Sequence, residues 1–201
     1  MKSTAAAGFT LLELLVALAI FGLLAVMSYG GLRTVLDQQA HTEAEADRLA
    51  VLQKTYLIMQ RDIEQAVPRP VRDEYGETLA PLAGSYVLQL TRGGWSNPVG
   101  HARSTLQRVG YAYEDQHLVR YVWPALDRAQ DSEPLQQQLA GNIEYMELRY
   151  LDASNEWHLE WPQTDVTAAA SPPPMDLPKA VEVKIEHEHY GPLVWLFQLP
   201  Y

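Results

Sequence analysis

The chain has 201 residues, a formal net charge of −10 and no cysteine. Its length suits one domain with an extension, because most domains contain about 50 to 250 residues. The acidic balance and the lack of any Lys/Arg cluster argue against a nucleic-acid partner, and a chain without cysteine has no disulfides, thiol nucleophiles or thiolate metal ligands.

The N-terminal segment is apolar enough to span a membrane. No charged residue lies between Leu14 and Leu32, and counted from Phe9 the apolar stretch reaches the roughly 20 residues that a transmembrane helix needs. A secretory signal peptide is the main alternative, but this apolar core is longer than usual and Glu13 interrupts its start. The few flanking charges do not fix the orientation of the span.

A specific motif, Gly8-Phe9-Thr10-Leu11-Leu12-Glu13, opens this segment. It resembles the processing signal of class III, type IV pilin-like precursors. The resemblance implies that a prepilin peptidase cleaves between Gly8 and Phe9 and methylates the new Phe9 amine. A glycine suits the cleaved bond because it has no side chain to obstruct the protease. Residues 1–8 would then be a leader, and residues 9–32 a transmembrane or bundle helix.

Glu13 needs an explanation, because an ionised side chain near the bilayer interior costs about 2.5–3.5 kcal/mol. One interpretation is that Glu13 offsets the positive end of its own helix. The other, which the family resemblance favours, pairs Glu13 with the Phe9 amine of a neighbouring subunit. Losing one partner of a buried pair is costly, so such a pair can set the register between subunits.

The helix is expected to continue through residues 33–67. Apolar residues recur at intervals of three and four, which predicts an amphipathic helix against a core: Leu49, Leu52, Tyr56, Met59, Ile63 and Ala66. Pro68 and Pro70 should end it.

Residues 68–201 change to the period of two that is typical of strands. Seven strands are predicted, at Tyr86–Thr91, Val109–Tyr113, His117–Trp123, Ile143–Leu151, Trp157–Trp161, Ala180–Glu188 and Leu193–Leu199. Pro134–Ala140 could form a short helix, and Thr167–Pro174 is expected to be an exposed loop. The predicted fold is α+β and type IV pilin-like: a long N-terminal helix packed on an antiparallel β-rich head.

The head also resembles one class of pilin-like protein. The matching blocks are Asp62–Ala66, Arg69–Asp73, Thr91–Pro98, Arg103–Tyr111, Leu126–Ala129 and Leu177–Val183. Together they are similar to the J-type minor pseudopilins of the bacterial type II secretion system. The resemblance singles out Arg92, Trp95, Asn97, Arg103 and Arg108 without giving them chemistry. They could form a partner surface, in which Arg and Trp are enriched, or they could maintain the fold.

The resemblance implies a mechanical function. J-type subunits join I-type and K-type pseudopilins, above an H-type subunit, at the tip of a pseudopilus that helps to export folded proteins. The chain would then sit in the inner membrane of a Gram-negative bacterium with its head in the periplasm. Exported proteins and the outer-membrane secretin are further candidate contacts. A minor pilin of a type IV pilus is the alternative, and a membrane-anchored envelope hydrolase is a weaker one.

No catalytic, cofactor or metal site is predicted. The sequence has no GxSxG, HExxH or phosphate-binding glycine loop. His187 and His189 would lie on one side of a strand, but no third ligand is evident. Asp152–Glu156 offers oxygens but not the spacing of an EF-hand, which favours an Asx-type turn. We therefore expect that the chain is not an enzyme.

Overall fold

The computed structural model describes residues 9–100, 102–163 and 174–200. The predicted leader 1–8 and nearly all of the predicted loop Thr167–Pro174 lie outside the described residues. Contacts divide the chain into two units, Met1–Leu49 and Ala50–Tyr201. This division falls inside the first helix, whereas the domain boundaries expected from the sequence follow residues 8, 32 and 67.

One helix, α1, runs over Leu11–Glu64. In the described residues it is followed by β1 (Val71–Arg72), β2 (Thr78–Leu79), β3 (Leu82–Ala83), β4 (Val87–Arg92), β5 (Gln107–Glu114), β6 (His117–Trp123), β7 (Leu135–Ala140), β8 (Ile143–Leu151), β9 (Trp157–His158), β10 (Ala180–His187) and β11 (Gly191–Gln198). The α+β, pilin-like class predicted from the sequence is confirmed.

The first unit consists of the N-terminal part of α1. Every described residue up to Leu49 is exposed, including the large apolar side chains from Phe9 to Leu36. The helix contains a stretch that is long and apolar enough to cross a membrane. Because soluble proteins rarely leave such a surface in water, this stretch requires lipid or neighbouring helices around it.

The second unit starts with the remainder of α1, which is part of a hydrophobic core. Leu52, Met59 and Ile63 are buried there as the periodicity predicts, and Tyr56 is partly buried. Leu49 was predicted on the same stripe, but it is 47% exposed, so that part of the prediction is wrong. The helix ends two residues before Ala66, which instead forms a β-bridge with Arg92.

Within the part of the chain that the structure describes, the strands all pair antiparallel and form three sheets. The largest has the order β3-β4-β5-β6-β7, the second has the order β11-β10-β8-β9, and β1 pairs with β2. Residues from α1 and from the two larger sheets meet in one core. The head is therefore a helix end enclosed with two sheets.

A strand is present at each of the seven predicted places, although Trp157–Trp161 is reduced to the two-residue β9, and four more strands accompany them among the described residues. Three of the four are two-residue strands, too short to show a period of two. The fourth is β7, which corrects the short helix suggested for Pro134–Ala140. Its residues pair with β6, for example Gln136 with Tyr121, and most of its side chains are exposed on both faces. Residues 135–140 form a strand because they pair with the edge of β6. Their polar sequence does not alternate with apolar residues, so it gave no signal for a strand.

Candidate functional site

The start of α1 holds a reciprocal capping box between Thr10 and Glu13. The Thr10 backbone N–H and hydroxyl both donate to Glu13 Oε2 at 2.9 Å, and the Glu13 N–H donates to Thr10 Oγ1 at 3.3 Å. This arrangement satisfies backbone donors that have no partner within the helix. The capping box was not among the features predicted from the sequence, although the Thr-x-x-Glu spacing before an apolar run is its usual signature.

The cap leaves part of the Glu13 carboxylate available. Within the described residues, its hydrogen bonds all use Oε2 and all come from Thr10. Phe9 is 86% exposed beside it. Glu13 therefore stabilises its own helix and still offers Oε1 to a second donor. Gly8, the other residue of the predicted cleavage site, lies outside the described residues.

The last turn of α1 carries a buried carboxylate between two arginines. Asp62 Oδ1 accepts a hydrogen bond from Arg92 Nη1 at 2.5 Å, and Oδ2 accepts from Arg120 Nε at 2.7 Å and from the Tyr111 hydroxyl at 2.5 Å. Asp62 is 1% exposed and Arg92 is 7% exposed. The carboxylate thus joins the helix end to β4, β5 and β6 at once.

Electrostatics shift the pKa values of two members of this cluster, Tyr111 and Arg120. Burial, followed by the charge of Asp62, raises the pKa of the Tyr111 phenol well above its ordinary value, so the hydroxyl remains a neutral donor. Burial acts to lower the pKa of Arg120, but its hydrogen bond and attraction to Asp62 outweigh burial and raise that pKa. One negative and two positive charges are therefore held together out of water.

Trp95, Asn97 and Arg103 form a local loop structure. The Arg103 guanidinium lies over the Trp95 ring at 3.5 Å and donates through Nη2 to the Ser96 carbonyl at 2.6 Å. A turn closes nearby, with the Gly100 N–H donating to the Asn97 carbonyl at 3.2 Å. Trp95 and Arg103 are stacked and only partly buried, so the pair is accessible to a partner, while Asn97 contributes its backbone carbonyl to the nearby turn.

Arg92 and Arg108 do not join that loop, and they lie on opposite faces of the five-stranded sheet. Arg108 pairs across the strands with Thr91, the neighbour of Arg92, and side chains alternate along a strand. Arg92 points to Asp62 on α1. Arg108 is fully buried on the other face and donates through Nη1 to the Ala80 and Pro81 carbonyls at 2.9 and 2.8 Å. The five singled-out residues therefore occupy three places.

The two groups weighed as metal ligands have partners within the chain. His187 is 6% exposed, and its Nδ1 accepts a hydrogen bond from the His189 N–H at 3.1 Å. Burial, then the charge of His189, lowers the pKa of His187. Neither histidine belongs to a group of three or more ligand side chains in the part of the chain that the structure describes.

A histidine, His158, lies next to the turn at Asp152–Glu156. Asp152, Glu156 and His158 bring ligand atoms within 4.8 Å of one another. The Asp152 carboxylate, however, accepts the Glu156 N–H at 2.8 Å and contacts His158 Nε2 at 2.9 Å. The Lys179 ammonium donates to the Ala153 carbonyl at 2.6 Å and so already places a cation on this turn. The hydrogen bonds within the turn therefore explain why the side chains of Asp152, Glu156 and His158 lie close together.

Comparisons with known proteins cover nearly the whole chain. Residues 30–199 match the family model described as type II secretion system (T2SS), protein J, and residues 4–29 match the prokaryotic N-terminal methylation motif. A protein named type II secretion system protein J from Escherichia coli is 33% identical over 100% of both chains. One of the same name from Klebsiella pneumoniae is 31% identical over 96% of this chain and 94% of its own.

A solved structure also matches the fold. It is the crystal structure of the GspK-GspI-GspJ complex from the enterotoxigenic Escherichia coli type 2 secretion system. The matching chain superposes with a TM-score of 0.65 at 28% identity, over 77% of the chain described here and 98% of its own.

Proposed function

Given that this chain belongs to the type II secretion system protein J family and is a minor pseudopilin of that system, we propose that it works at the tip of the pseudopilus. The observation that carries the proposal is the pair of matches, with the protein J family model over residues 30–199 behind an N-terminal methylation motif. There the chain would initiate assembly and help to drive export of folded proteins. The family is one of structural pseudopilins, and the proposal gives the chain no catalytic step.

The proposed partners are other pseudopilins. The similar solved structure contains GspK and GspI beside GspJ. By analogy, K-type and I-type subunits would contact this chain, with an H-type subunit below. The wholly exposed apolar surface of α1 before Leu49 supports helix–helix contacts of this kind. Ala17, Gly22 and Ala25 would let neighbouring helices approach closely. Exported proteins and the secretin are the further contacts that this position implies.

The chain is membrane-anchored through the apolar part of α1. We place residues 1–8 on the cytoplasmic side as a leader, residues 9–32 in the bacterial inner membrane, and residues 33–67 and 68–201 in the periplasm as the helix continuation and the head. This orientation follows from prepilin processing, which would put the cleaved bond on the cytoplasmic face. The stacked pair of Trp95 and Arg103 is then a surface that faces the periplasm and its proteins.

Co-purification tests the assembly proposal. The tagged full-length chain, extracted in detergent from cells that express the I-type and K-type pseudopilins, should retain both. The matched control is a tagged, unrelated single-pass protein expressed at the same level. If the chain retains neither pseudopilin, and its deletion removes surface pili while secretion persists, the type IV pilus alternative replaces this proposal.

Cleavage can be tested separately at Gly8. Gly8→Ala adds a side chain at the bond to be cut and should leave the full-length precursor, while Ser3→Ala in the same leader should not. Intact mass measures the outcome: wild type should lose residues 1–8 and gain one methyl group on Phe9. An unprocessed wild-type chain in cells that contain the peptidase would contradict the proposal.

A further inference from the structure

A cavity of about 380 Å³ opens between the two larger sheets of the head. The five-stranded sheet lines it with Tyr113 of β5 and with Tyr86, which lies just before β4. The four-stranded sheet lines it with Tyr145–Leu148 of β8, and Leu159 and Glu160 complete the wall after β9. The cavity therefore lies where strands of different sheets approach each other without forming a common sheet.

One edge of β8 is open along this cavity. β8 pairs with β10 along nearly its whole length, but on the other edge β9 pairs only with Tyr150 and Leu151. Among the described residues, no strand pairs with residues 143–149 on that second edge. An open edge offers its main-chain N–H and C=O groups to a further strand.

Hydrogen bonds show which main-chain groups of β8 point to the open edge. On the β9 side, the Asp152 N–H donates to the Glu156 carbonyl at 3.0 Å. Because the direction of these bonds alternates along an antiparallel strand, the even-numbered residues of β8 face that side. The Glu144 carbonyl agrees, since it accepts the hydroxyl of the cavity residue Tyr113 at 3.0 Å. The N–H and C=O of Met146 therefore point to the open edge and have no partner among the described residues.

The side chains beside this edge differ between the two faces of the sheet. Alternation along β8 puts Met146 and Leu148 on the face that packs against the core, and Tyr145 and Glu147 on the opposite face. Tyr145 is 55% exposed, and Tyr86, also in the cavity wall, is 89% exposed. A strand added to the edge would present its own side chains alternately to an apolar face and to a face with tyrosine and carboxylate groups.

The cavity wall carries negative charge. Glu147 and Glu160 line it, and none of its lining residues is Lys or Arg. Glu147 is partly compensated, because its Oε1 accepts from the Lys184 ammonium and its Oε2 from the Tyr145 hydroxyl, both at 3.2 Å. Glu160 is exposed, and its carboxylate has no hydrogen bond or ion pair within the described part of the chain. Tyrosine faces also attract cations, so the wall favours a basic side chain.

We propose that this cavity is a peptide-binding cleft for an extended segment of another protein, in which basic residues alternate with apolar ones. The segment adds a strand to the open edge of β8 and forms hydrogen bonds with the N–H and C=O of Met146. Its apolar side chains lie on the side of Leu148, and its Lys or Arg side chains contact Tyr86 and Tyr145 near Glu160. The inference goes beyond the proposed function and does not depend on it.

Charge favours a partner outside this chain over a segment of the chain itself. Residues 164–173 follow the cavity wall in sequence, but they include Asp165 and no Lys or Arg. The chain as a whole has a net charge of −10. A basic segment of another protein is therefore attracted to the cleft, whereas an acidic segment is repelled.

Titration of the full-length chain, in a non-ionic detergent, with short blocked peptides tests the proposal. The probe alternates lysine with valine, and its counterpart has glutamate in place of lysine. Fluorescence anisotropy of the labelled lysine peptide should show saturable binding, at least about tenfold tighter than that of the glutamate peptide. Methylation of the main-chain nitrogens of the lysine peptide removes its donors and should weaken binding by a similar factor. No binding of the lysine peptide, equal binding of the glutamate peptide, or no effect of methylation would overturn the proposal.

Tyr86→Ala tests whether the cavity is the place of binding. It removes a ring from the wall and should weaken binding of the lysine peptide by about threefold or more. Tyr75→Ala is the matched control, because Tyr75 is 80% exposed and does not line the cavity. The control should bind as wild type does, and equal affinities of the two variants would contradict the site.

Glu160→Gln tests the charge of the wall. It should reduce the preference for the lysine peptide over the glutamate peptide, because the unpaired carboxylate is lost. Glu133→Gln makes the same change in charge at an exposed residue outside the cavity wall and should leave the preference as in wild type. The same preference in both variants would contradict the assigned partner chemistry.

Two other outcomes would assign the cleft to this chain itself. If the lysine peptide binds only after residues 164–173 are replaced by a glycine–serine linker of equal length, that segment occupies the cleft. If the chain self-associates in sedimentation experiments and Tyr86→Ala abolishes the association, a second copy occupies it. Either result would overturn the proposal of a basic partner from another protein.

Discussion

Replacing Asp62 by asparagine should lower the free energy of unfolding of the head by about 3–5 kcal/mol. The substitution keeps the size of the side chain but removes its charge, so Arg92 and Arg120 stay buried without a counter-ion. One amide oxygen cannot replace two carboxylate oxygens that accept three donors. Denaturant unfolding of the full-length chain in detergent measures the effect. Tryptophan fluorescence reports the head, because every tryptophan lies beyond residue 90.

Glu64→Gln is the matched control for Asp62→Asn. Glu64 is in the same helical turn but is exposed, and its contact is with Gln60. Glu64→Gln should change the free energy of unfolding by less than about 0.5 kcal/mol. A double-mutant cycle with Tyr111→Phe should then show coupling, since Tyr111 shares the Asp62 carboxylate. An Asp62→Asn chain as stable as the control would contradict the role given to this cluster.

The strands with alternating apolar residues could be predicted from the sequence, and the polar core could not. Periodicity identifies Met59 and Ile63 as core residues because burial repeats along a helix. Asp62 lies between them and reads as a solvated position, yet it is 1% exposed. Only the pairing of β4, β5 and β6 brings its three donors to that point. A buried charge depends on partners distant in sequence, which a local pattern does not contain.

The candidate site divides in the same way. The motif at Gly8–Glu13 is local, so its spacing could be read directly, and its methylation signature is matched at residues 4–29. Arg92 and Arg108 look alike in the sequence, but the register of β4 and β5 places one on each face of the sheet. The alternation of side chains along β4 indicates which of its own residues share a face with Arg92. The cross-strand register, which decides the rest, is set by the folded sheet.

Glu13→Gln should abolish co-purification of the full-length chain with its partner pseudopilins while leaving the head folded. This prediction rests on the proposed pair between Glu13 and the Phe9 amine of a neighbouring subunit. Glutamine can still form the capping box with Thr10, because Glu and Gln both serve at that position. The charge alone is lost. Leaving a buried ammonium without its partner costs about 3–5 kcal/mol, which corresponds to more than a hundredfold in binding.

Thr10→Ala separates helix capping from subunit pairing. It removes the hydroxyl that donates to Glu13 Oε2 and accepts the Glu13 N–H, at a cost of about 1 kcal/mol to the helix end. The Glu13 carboxylate keeps its charge and loses only one of its two hydrogen-bond donors, the Thr10 hydroxyl. Assembly should therefore persist. If Thr10→Ala abolishes co-purification and Glu13→Gln does not, Glu13 acts only through the cap of its own helix. If Glu13→Gln abolishes co-purification and Thr10→Ala does not, the Glu13 carboxylate pairs with a neighbouring chain, because glutamine and glutamate at position 13 form the same cap.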